Sequence, residues 1–443
     1  MAADAAAPSR RVAVVGGGWA GLAAAVQACQ AGHAVTLYES AGDLGGRART
    51  VHSEGVALDN GQHILIGAYK QTLALIKTVG ADPDKLLHRQ PLELRYPDGR
   101  GLRLSKGPAG LAFGLAVMRC KGWSASDRWA LLREAARWTR MGFSCDPKLT
   151  VAELCQTLPA PVRKLLIDPM CVAALNTPAE EASATVFLRV LLDALFSGRG
   201  SADLLLPRAP LGSLLPEPAA EWLLQTGAEL KLGTRVQALH KQDQGWRIGE
   251  QHFAAVILAC PPGEAARLAE PFDAHWAQRA VALRYEPIVT VWLHSPKGKL
   301  PTPMAALFEG PGRPAQFAFD HGALGGTPGH FAFVISGAAA SVAKGLKITA
   351  NEVQQQAISS FPEGTWYTRP QVLKVMAEKR ATFRCTPGLD RPPMWIAGHS
   401  KLAADGPPLL AAGDYVAGPY PATLEGAVRA GQAAAHALGP AKA

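Results

Sequence analysis

Residues 12–39, VAVVGGGWAGLAAAVQACQAGHAVTLYE, decide the fold. The uncharged, β-branched run Val12–Val15 is typical of a buried parallel strand, and it leads into residues 16–21 (GGGWAG), which match GxGxxG. Apolar residues at helical spacing follow, and a second strand, Val35–Tyr38, ends at Glu39. A strand, glycine turn, helix, strand and acidic residue in this order predict a Rossmann-like α/β domain that binds a dinucleotide.

Three glycines have separate tasks in such a turn. Gly16 permits the tight turn, Gly18 lets the backbone approach a pyrophosphate, and Gly21 lets the helix pack close to the strand. The helix N-terminus adds unpaired N–H groups for the phosphates. Glu39 is placed to accept hydrogen bonds from the ribose hydroxyls of an adenosine.

A second glycine loop indicates which nucleotide is bound. Residues 42–49 (GDLGGRAR) resemble the second glycine motif of the large flavoprotein group that includes amine oxidases and carotenoid desaturases. Gly45 and Gly46 offer backbone N–H groups, and Arg47 offers positive charge to a diphosphate. An NAD enzyme has no need of this loop, so we expect FAD, held without a covalent link.

The C-terminal region supplies the other half of the expected cofactor site. Residues 409–414 (LLAAGD) predict a buried strand that ends in Gly-Asp. In the flavoproteins that the chain resembles, this aspartate, here Asp414, bonds the ribityl chain. The helix that begins in residues 421–427 would point its N-terminus at the N1–C2=O edge of the flavin and stabilise the charge of reduced flavin.

The middle of the chain is predicted to return to the same domain. Residues 228–231 and 234–239 are interpreted as strands, with Val236 placed against the adenine, and residues 254–259 predict another buried strand. We therefore expect a split FAD-binding domain and a substrate domain with a mixed sheet covered by helices, as in amine oxidases and phytoene desaturases. The FAD-binding domain is assigned to residues 1–87, 200–268 and 385–443, and the substrate domain to residues 88–199 and 269–384.

Two local patterns in the substrate domain give sharper expectations. Residues 92–104 alternate around Pro-Asp-Gly and predict a β-hairpin. Residues 349–361 predict a helix in which Thr349 is the N-cap and Glu352 completes a capping box.

Composition limits the class of protein. The 443 residues suffice for two or three domains, and 48% hydrophobic with 18% charged residues excludes wholesale disorder. The seven cysteines are odd in number and none is spaced CxxC, so we expect neither a disulfide framework nor a metal site. Reduced thiols and the lack of an apolar signal segment favour the cytoplasm.

The positive charge is concentrated in one window. Residues 81–140 hold twelve Lys and Arg against six Asp and Glu, which is +6 of the net +9. We find no zinc-finger spacing or stacking-aromatic motif for nucleic acid, and we expect none to bind. Residues 107–118 are apolar between cations and tryptophans, which suits an anionic membrane surface, although a buried helix is the alternative. We therefore expect a membrane-surface patch at residues 105–140, on the inner face of the cell membrane.

Several further segments resemble one family, the bacterial hydroxysqualene dehydroxylases of hopanoid biosynthesis, which are squalene-associated FAD-dependent proteins. They are residues 58–69 (LDNGQHILIGAY), 174–178 (ALNTP), 203–208 (DLLLPR), 379–383 (KRATF) and 421–431. The resemblance runs nearly end to end. It implies FAD, a C30 isoprenoid alcohol as the substrate and squalene as the product.

This reaction needs an acid or a hydrogen-bond donor, because hydroxide leaves poorly from the allylic carbon that receives hydride from reduced flavin. His63 titrates near neutral pH and is the candidate acid, with Asp59 to orient it and Gln62 to bond the leaving oxygen or the flavin edge. A purely structural histidine is the alternative for His63. Asp320 and His321 form a second candidate pair. The electron donor stays open between NADPH and a partner reductase.

The residues expected to contact FAD are Gly16, Gly18, Trp19, Ala20, Gly21, Glu39, Ser40, Gly45, Gly46, Arg47, Gly61, Gln62, Val236, Cys260, Gly413, Asp414, Ala422 and Thr423.

Three other functions stay open on the sequence alone. An isoprenoid desaturase would use the same flavin motifs. An amine oxidase would place an aromatic cage beside the flavin, for which Tyr415 and Tyr420 are available. A non-catalytic lipid-binding relative of the prenyl-protein escort proteins would not need the intact Gly16, Glu39 and Asp414.

Overall fold

Two five-stranded sheets organise the part of the chain that the computed structural model describes, which is residues 10–53, 56–397 and 406–441. The strands in chain order are β1 (Arg11–Val15), β2 (Ala34–Tyr38), β3 (Thr50–Ser53), β4 (Val56–Asp59), β5 (Leu65–Ile66), β6 (Leu87–Gln90), β7 (Glu93–Arg95), β8 (Gly101–Arg103), β9 (Leu204–Pro207), β10 (Glu229–Lys231), β11 (His240–Gln242), β12 (Gly245–Ile248), β13 (Gln251–Phe253), β14 (Ala255–Leu258), β15 (Tyr285–His294), β16 (Met304–Ala306), β17 (Phe317–Asp320), β18 (His330–Ile335), β19 (Gln371–Phe383) and β20 (Leu409–Ala411). The helices are α1 (Trp19–Gln30), α2 (Lys70–Thr78), α3 (Pro83–Leu86), α4 (Ala109–Arg119), α5 (Ala125–Arg140), α6 (Val151–Leu154), α7 (Ala160–Val162), α8 (Asp168–Leu175), α9 (Ala184–Phe196), α10 (Leu211–Leu214), α11 (Pro216–Gln225), α12 (Pro262–Ala269), α13 (Ala274–Val281), α14 (Ala339–Lys344), α15 (Leu346–Ser360) and α16 (Leu424–Ala437). A π-helical turn, Arg163–Ile167, joins α7 to α8.

The first sheet is parallel and has the order β10-β2-β1-β14-β20. Its strands come from three distant parts of the sequence, as the split Rossmann-like prediction requires. The apolar residues of β1 are buried, because α1 and α16 pack together beside the sheet and exclude water from it. The predicted α/β fold is therefore confirmed, while the limits of the two domains stay a prediction.

The second sheet is antiparallel and has the order β16-β17-β18-β15-β19. Its core includes the fully buried Phe331 and Phe333 of β18, which pack with residues of α15. Trp292, Phe317 and Phe319 are also buried in the core. Helices α4 to α9 precede this sheet in sequence, and the predicted hairpin is present as β7 and β8.

Asn176 connects the helical segment to the second sheet. It ends α8 in the left-handed conformation, with φ of 48°. Its Nδ2 donates to the carbonyl of Glu286 (3.1 Å) and to Thr382 Oγ1 (3.0 Å), and its Oδ1 accepts from the backbone N–H of Gly337 (2.7 Å). Asparagine tolerates this conformation better than most residues, so one buried side chain ends the helix and fixes its position.

Two local predictions are wrong. Helix α15 begins at Leu346, and Thr349 lies inside it and donates to the carbonyl oxygens of Ser341 (2.9 Å) and Gly345 (3.2 Å). Residues 234–239 form no strand in the structure. The Arg267 guanidinium donates to carbonyl oxygens of this segment, including that of Val236 (2.7 Å), and takes the place of a neighbouring strand.

The contact between α1 and α16 generates a stability prediction. A Cβ built on Gly431 would lie 2.1 Å from the carbonyl oxygen of Ala20, so the two helix backbones meet at this glycine. Gly431→Ala should therefore lower the free energy of unfolding by about 1–3 kcal/mol, although alanine favours helix. Gly114→Ala in α4 is the control, because its Cβ would meet no described atom within 4 Å, and it should leave stability unchanged or raise it by up to about 1 kcal/mol. Equal effects in urea unfolding of the two variants would contradict the prediction.

Candidate cofactor and active site

The candidate site lies at the carboxyl ends of the parallel strands. Gly16 follows β1, Glu39 follows β2, Cys260 comes shortly after β14, and Gly413 comes shortly after β20. Ligands of open α/β sheets bind at this edge, where loops from neighbouring strands form a crevice. The structure thus brings together turns that are far apart in the sequence.

The first glycine turn has no room for side chains on its inner side. Gly16 has φ of +114°, and a Cβ there would lie 2.6 Å from backbone atoms of Ala259. A Cβ on Gly21 would lie 1.8 Å from the carbonyl oxygen of Gly16. A Cβ on Gly18, by contrast, meets no described atom closer than Gly46 Cα at 3.9 Å. The open side of the turn is therefore at Gly18, where α1 begins and presents its first N–H groups.

The second glycine loop lies directly against the first. The N–H of Gly45 donates to the carbonyl oxygen of Gly17 (2.9 Å), and Gly18 and Gly45 form a parallel bridge. The indole N–H of Trp19 donates to the carbonyl oxygen of Ala48 (2.9 Å). The backbone amides of both loops are consequently concentrated in one place, as a diphosphate requires.

Glu39 closes one side of this crevice. Its carboxylate accepts hydrogen bonds from the N–H groups of Gly17 (2.7 Å) and Ala41 (2.8 Å), and from Ser40 Oγ (3.2 Å). The N–H of Thr234 donates to the carbonyl oxygen of Glu39 (2.8 Å), which brings the segment of Val236 beside it. The carboxylate is therefore held at the glycine turn, where a ribose would reach it.

Arg47 and Asp414 join the two ends of the chain. Arg47 Nη2 lies 2.6 Å from Asp414 Oδ1, and its Nη1 donates to the carbonyl oxygen of Ala381 (2.6 Å). Asp414 is buried, and Arg391 donates to its carbonyl oxygen (3.3 Å) and to that of Tyr420 (2.9 Å). Sequence reasoning missed Arg391, since nothing in its neighbourhood marks it as part of this site.

The first turn of α16 is also fixed by side chains. Thr423 Oγ1 accepts from the N–H of Gly426 (3.0 Å) and caps the helix directly after Ala422. Glu425 is buried, and it accepts from Thr72 N (2.9 Å), Thr72 Oγ1 (2.8 Å) and Arg429 Nε (2.8 Å). These bonds lock the N-terminus of α16 to that of α2.

Two tyrosines test whether the crevice fits a flavin nucleotide. The hydroxyl oxygens of Tyr285 and Tyr415 are buried, and neither has a hydrogen-bond partner among the described residues. Burial and the negative charge of Asp414 raise the pKa of Tyr285 to about 12, so it is a neutral donor. A Cβ on Gly413 would overlap the Tyr415 ring, which therefore packs on this glycine. Unpaired donors beside Asp414 and open backbone at Gly18 fit a polar dinucleotide such as FAD.

Cys260 contributes to the crevice through its backbone and not through its thiol. A Cβ on Gly16 would lie 2.7 Å from the backbone nitrogen of Cys260. Burial raises the pKa of the Cys260 thiol to about 12, so this side chain is a neutral core group.

Asp59 does not orient His63, contrary to our expectation. Its Oδ1 accepts from Thr50 Oγ1 (2.9 Å) and from the N–H of Leu211 (2.9 Å), so it ties β3 to the start of α10. His63 Nδ1 is instead 3.0 Å from the carbonyl oxygen of Gly61. Because a carbonyl only accepts, Nδ1 carries the hydrogen. Burial lowers the pKa of His63, and the charge of Arg47 adds to this effect.

Gln62 has a partner that lies far away in the sequence. Its Oε1 lies 2.8 Å from His321 Nε2, and the His321 ring lies 4.6 Å from that of Trp292. Burial lowers the pKa of His321 to about 4, so it is a neutral donor to Gln62. The side chains of the second candidate pair have different partners, because Asp320 accepts from the N–H groups of Leu300 and Ala323 (both 3.0 Å). The structure thus groups Gln62, His63 and His321.

The position of Asp59 generates a pH prediction. Burial raises its pKa to about 6, from 3.8, so the folded state binds a proton that the unfolded state releases between these values. Folding stability should therefore fall as the pH rises from about 4 to about 6. Asp59→Asn keeps an acceptor for Thr50 and Leu211 without the charge, and it should gain on the order of 2 kcal/mol over wild type at pH 7 and nothing at pH 3.5.

Urea unfolding of both proteins across this pH range measures the effect. Asp59→Ala is the control, since it loses both hydrogen bonds and should be destabilised at every pH. A difference between wild type and Asp59→Asn that does not change with pH would contradict the assignment.

Comparison with known proteins shows the family to which this chain belongs. Residues 19–438 match the model of the flavin containing amine oxidoreductase family. The hydroxysqualene dehydroxylase of Zymomonas mobilis is 27% identical and aligns over 95% of this chain and 97% of its own length. That of Rhodopseudomonas palustris is 26% identical, over 96% of this chain and 98% of its own.

A solved structure shows the same fold. Cyclohexylamine oxidase from Brevibacterium oxydans has a TM-score of 0.68 at 16% identity, and the match covers 97% of this chain and 99% of that one. The match therefore extends over both sheets and the helices between them. The chain belongs to the flavin containing amine oxidoreductase family as an FAD-dependent oxidoreductase, and within that superfamily its full-length similarity is to the hydroxysqualene dehydroxylases.

Proposed function

We propose that the protein is a hydroxysqualene dehydroxylase, which reduces hydroxysqualene to squalene with loss of water in squalene and hopanoid biosynthesis. One observation carries the proposal. Two proteins of that name align with nearly the whole of this chain and of their own length. A similarity confined to the nucleotide-binding motifs would support only the cofactor.

The reaction consumes one hydride, which carries two electrons, and one proton. The C–O bond of the allylic alcohol breaks, a C–H bond forms at the same carbon, and the oxygen leaves as water after it gains a proton. When bound in its reduced form, FAD supplies the hydride. The protein must therefore hold the leaving oxygen, provide the proton and exclude bulk water.

The cofactor contacts follow from the crevice. We infer that the amides at Gly18 and Gly46 and the guanidinium of Arg47 hold the diphosphate, and that Glu39 binds the ribose of the adenosine. Asp414 would bind the ribityl chain. The site would hold FAD without a covalent link, and the reaction would need an external two-electron donor, either a reduced nicotinamide or a partner reductase.

Gln62 and His63 are the proposed groups for the leaving oxygen. The acceptor end of the Gln62 amide is occupied by His321, while its Nε2 has only a long contact of 3.4 Å, to the carbonyl oxygen of His63. The amide N–H groups are therefore available to a leaving oxygen. His63 Nε2 is the atom that would carry and release the proton, because Nδ1 is committed to Gly61.

The membrane partner is proposed from α4 and α5. Leu111, Leu115 and Met118 are 70%, 50% and 47% exposed and recur at i, i+4 and i+7 on α4, and Trp129 on α5 is 65% exposed. Basic side chains surround them in the same window of sequence. None of the helices in residues 10–53, 56–397 and 406–441 is long and apolar enough to cross a bilayer. We infer peripheral contact with the anionic cytoplasmic leaflet.

The catalytic proposal gives a direct test. FAD-loaded protein, reduced anaerobically with dithionite and given hydroxysqualene, should yield squalene by mass analysis. His63→Ala should reduce kcat/KM by about 10²–10⁴-fold, while His240→Ala, which removes an exposed histidine of β11, should not. Because burial lowers the pKa of His63, its acid form is populated only in acidic solution. The wild-type rate should therefore fall as the pH rises from about 5 to about 8.

Two results would overturn parts of this proposal. Desaturation of phytoene with no squalene from hydroxysqualene would replace the dehydroxylase by a desaturase. Unchanged turnover in His63→Ala would remove the acid assignment and leave the reaction in place.

The membrane proposal has its own test. The double variant Leu111→Glu/Leu115→Glu should bind phosphatidylglycerol vesicles at least about tenfold more weakly than wild type in co-sedimentation, because two apolar contacts are lost and two negative charges are added. Leu224→Glu, at an exposed leucine on α11, is the control and should bind like wild type. Equal binding by all three proteins would contradict the assignment of this surface.

A further inference from the structure

A cavity of about 170 Å³ lies between α4, α5, α9 and the π-helical turn. Its inner wall is formed by buried side chains, including Leu131, Leu166, Phe187 and Leu191. Thr139 carries the one hydroxyl of the lining, and that hydroxyl already donates to the carbonyl oxygen of Ala135 (2.9 Å). Protein interiors hold few voids of this size, and apolar ones stay dry and take up apolar molecules.

Helix α4 forms one wall of the cavity with residues that lack side chains. Gly110 and Gly114 are one turn apart and both line it. A Cβ on Gly114 would meet no atom of the described residues within 4 Å, so a side chain there would extend into open space. Glycine disfavours helix, and no close backbone approach explains its presence at this position. The next row of the same helix, Leu111 and Leu115, is the exposed apolar surface described above.

The opposite wall contains the irregular part of the helical segment. Leu166 and Ile167 belong to the π-helical turn, and Met170 follows on α8. A π-helical turn widens the helix and displaces its side chains from regular packing, and such turns are frequent at functional sites. The void therefore coincides with two departures from regular helix packing, one in each wall.

We propose that this cavity is a subsite for the hydrocarbon end of the isoprenoid substrate, away from the carbon that reacts. The inference rests on the proposed function. The lining offers no free polar group except the indole N–H of Trp138, so it suits an unfunctionalised prenyl terminus and rejects a charged headgroup. Its position directly beneath α4 places it one helix away from the proposed membrane surface, so a chain end that leaves the lipid phase enters a second apolar environment.

Methionine labelling tests the subsite directly. The chain has seven methionines, of which Met170 lines the cavity and Met304 is buried on β16. In FAD-loaded protein with ¹³C-labelled methionine methyl groups, squalene delivered in detergent micelles should shift the Met170 signal and leave that of Met304 in place. Gly114→Leu should weaken this response at least tenfold. Ala135→Leu fills the same cavity from α5 and should weaken the response as well. Ala125→Leu, at an exposed position of the same helix pair, should respond like wild type.

Kinetics give a second readout. Gly114→Leu should raise KM for hydroxysqualene at least tenfold, with kcat and FAD content within twofold of wild type, because the reacting carbon is not touched. The proposal is overturned if Met170 does not respond to squalene, if it responds in both filled variants as strongly as in wild type, or if palmitate produces the same shift, which would make the cavity a general acyl site. A Met170 response in a wild-type protein that makes no squalene would instead overturn the reaction and leave the subsite.

Discussion

The ion pair between Arg47 and Asp414 helps to join three segments that are far apart in the sequence. The two residues are 367 positions apart, and the carboxylate is 8% exposed. Arg47 also reaches the carbonyl oxygen of Ala381 on β19, the edge strand of the antiparallel sheet. One guanidinium therefore connects the second glycine loop, the end of the parallel sheet and the second sheet. A buried carboxylate that lost this partner would be strongly destabilising, so the crevice and the packing of the two sheets depend on the same contact.

Four groups of the candidate site are shifted by burial towards their uncharged forms. His63 and His321 are both shifted by burial towards their neutral forms, and Tyr285 and Tyr415 are shifted towards their protonated forms. His321, Tyr285 and Tyr415 are therefore neutral donors, whereas the N–H of neutral His63 is already bonded to the carbonyl oxygen of Gly61. Such donors stabilise charge that develops during a reaction without a large reorganisation when it appears. In the proposed reaction, the hydroxyl oxygen that leaves the allylic carbon develops negative charge, which such donors would stabilise.

The parts of the fold that the sequence predicts correctly rest on short-range rules. The glycine turn, the strands that flank it and the hairpin at β7 and β8 follow from residues that are neighbours in the chain. The failures depend on distant partners. Asp59 accepts from the N–H of Leu211, and Arg267 binds carbonyl oxygens within residues 234–239. Thr349 lies inside a helix whose N-cap is four residues earlier than its capping pattern indicates. The contact between Gln62 and His321 spans 259 positions, and no local pattern specifies it.

The order of strands in the parallel sheet has a consequence for synthesis. Strand β1 pairs with β14, and β14 pairs with β20, so the sheet is completed only by residues 409–411. Helix α16, which covers α1, follows them. At about 5–20 residues per second, a nascent chain holds its first glycine turn without these neighbours for tens of seconds. The N-terminal apolar segments thus leave the ribosome long before their packing partners, and chaperones have a long interval in which to bind them.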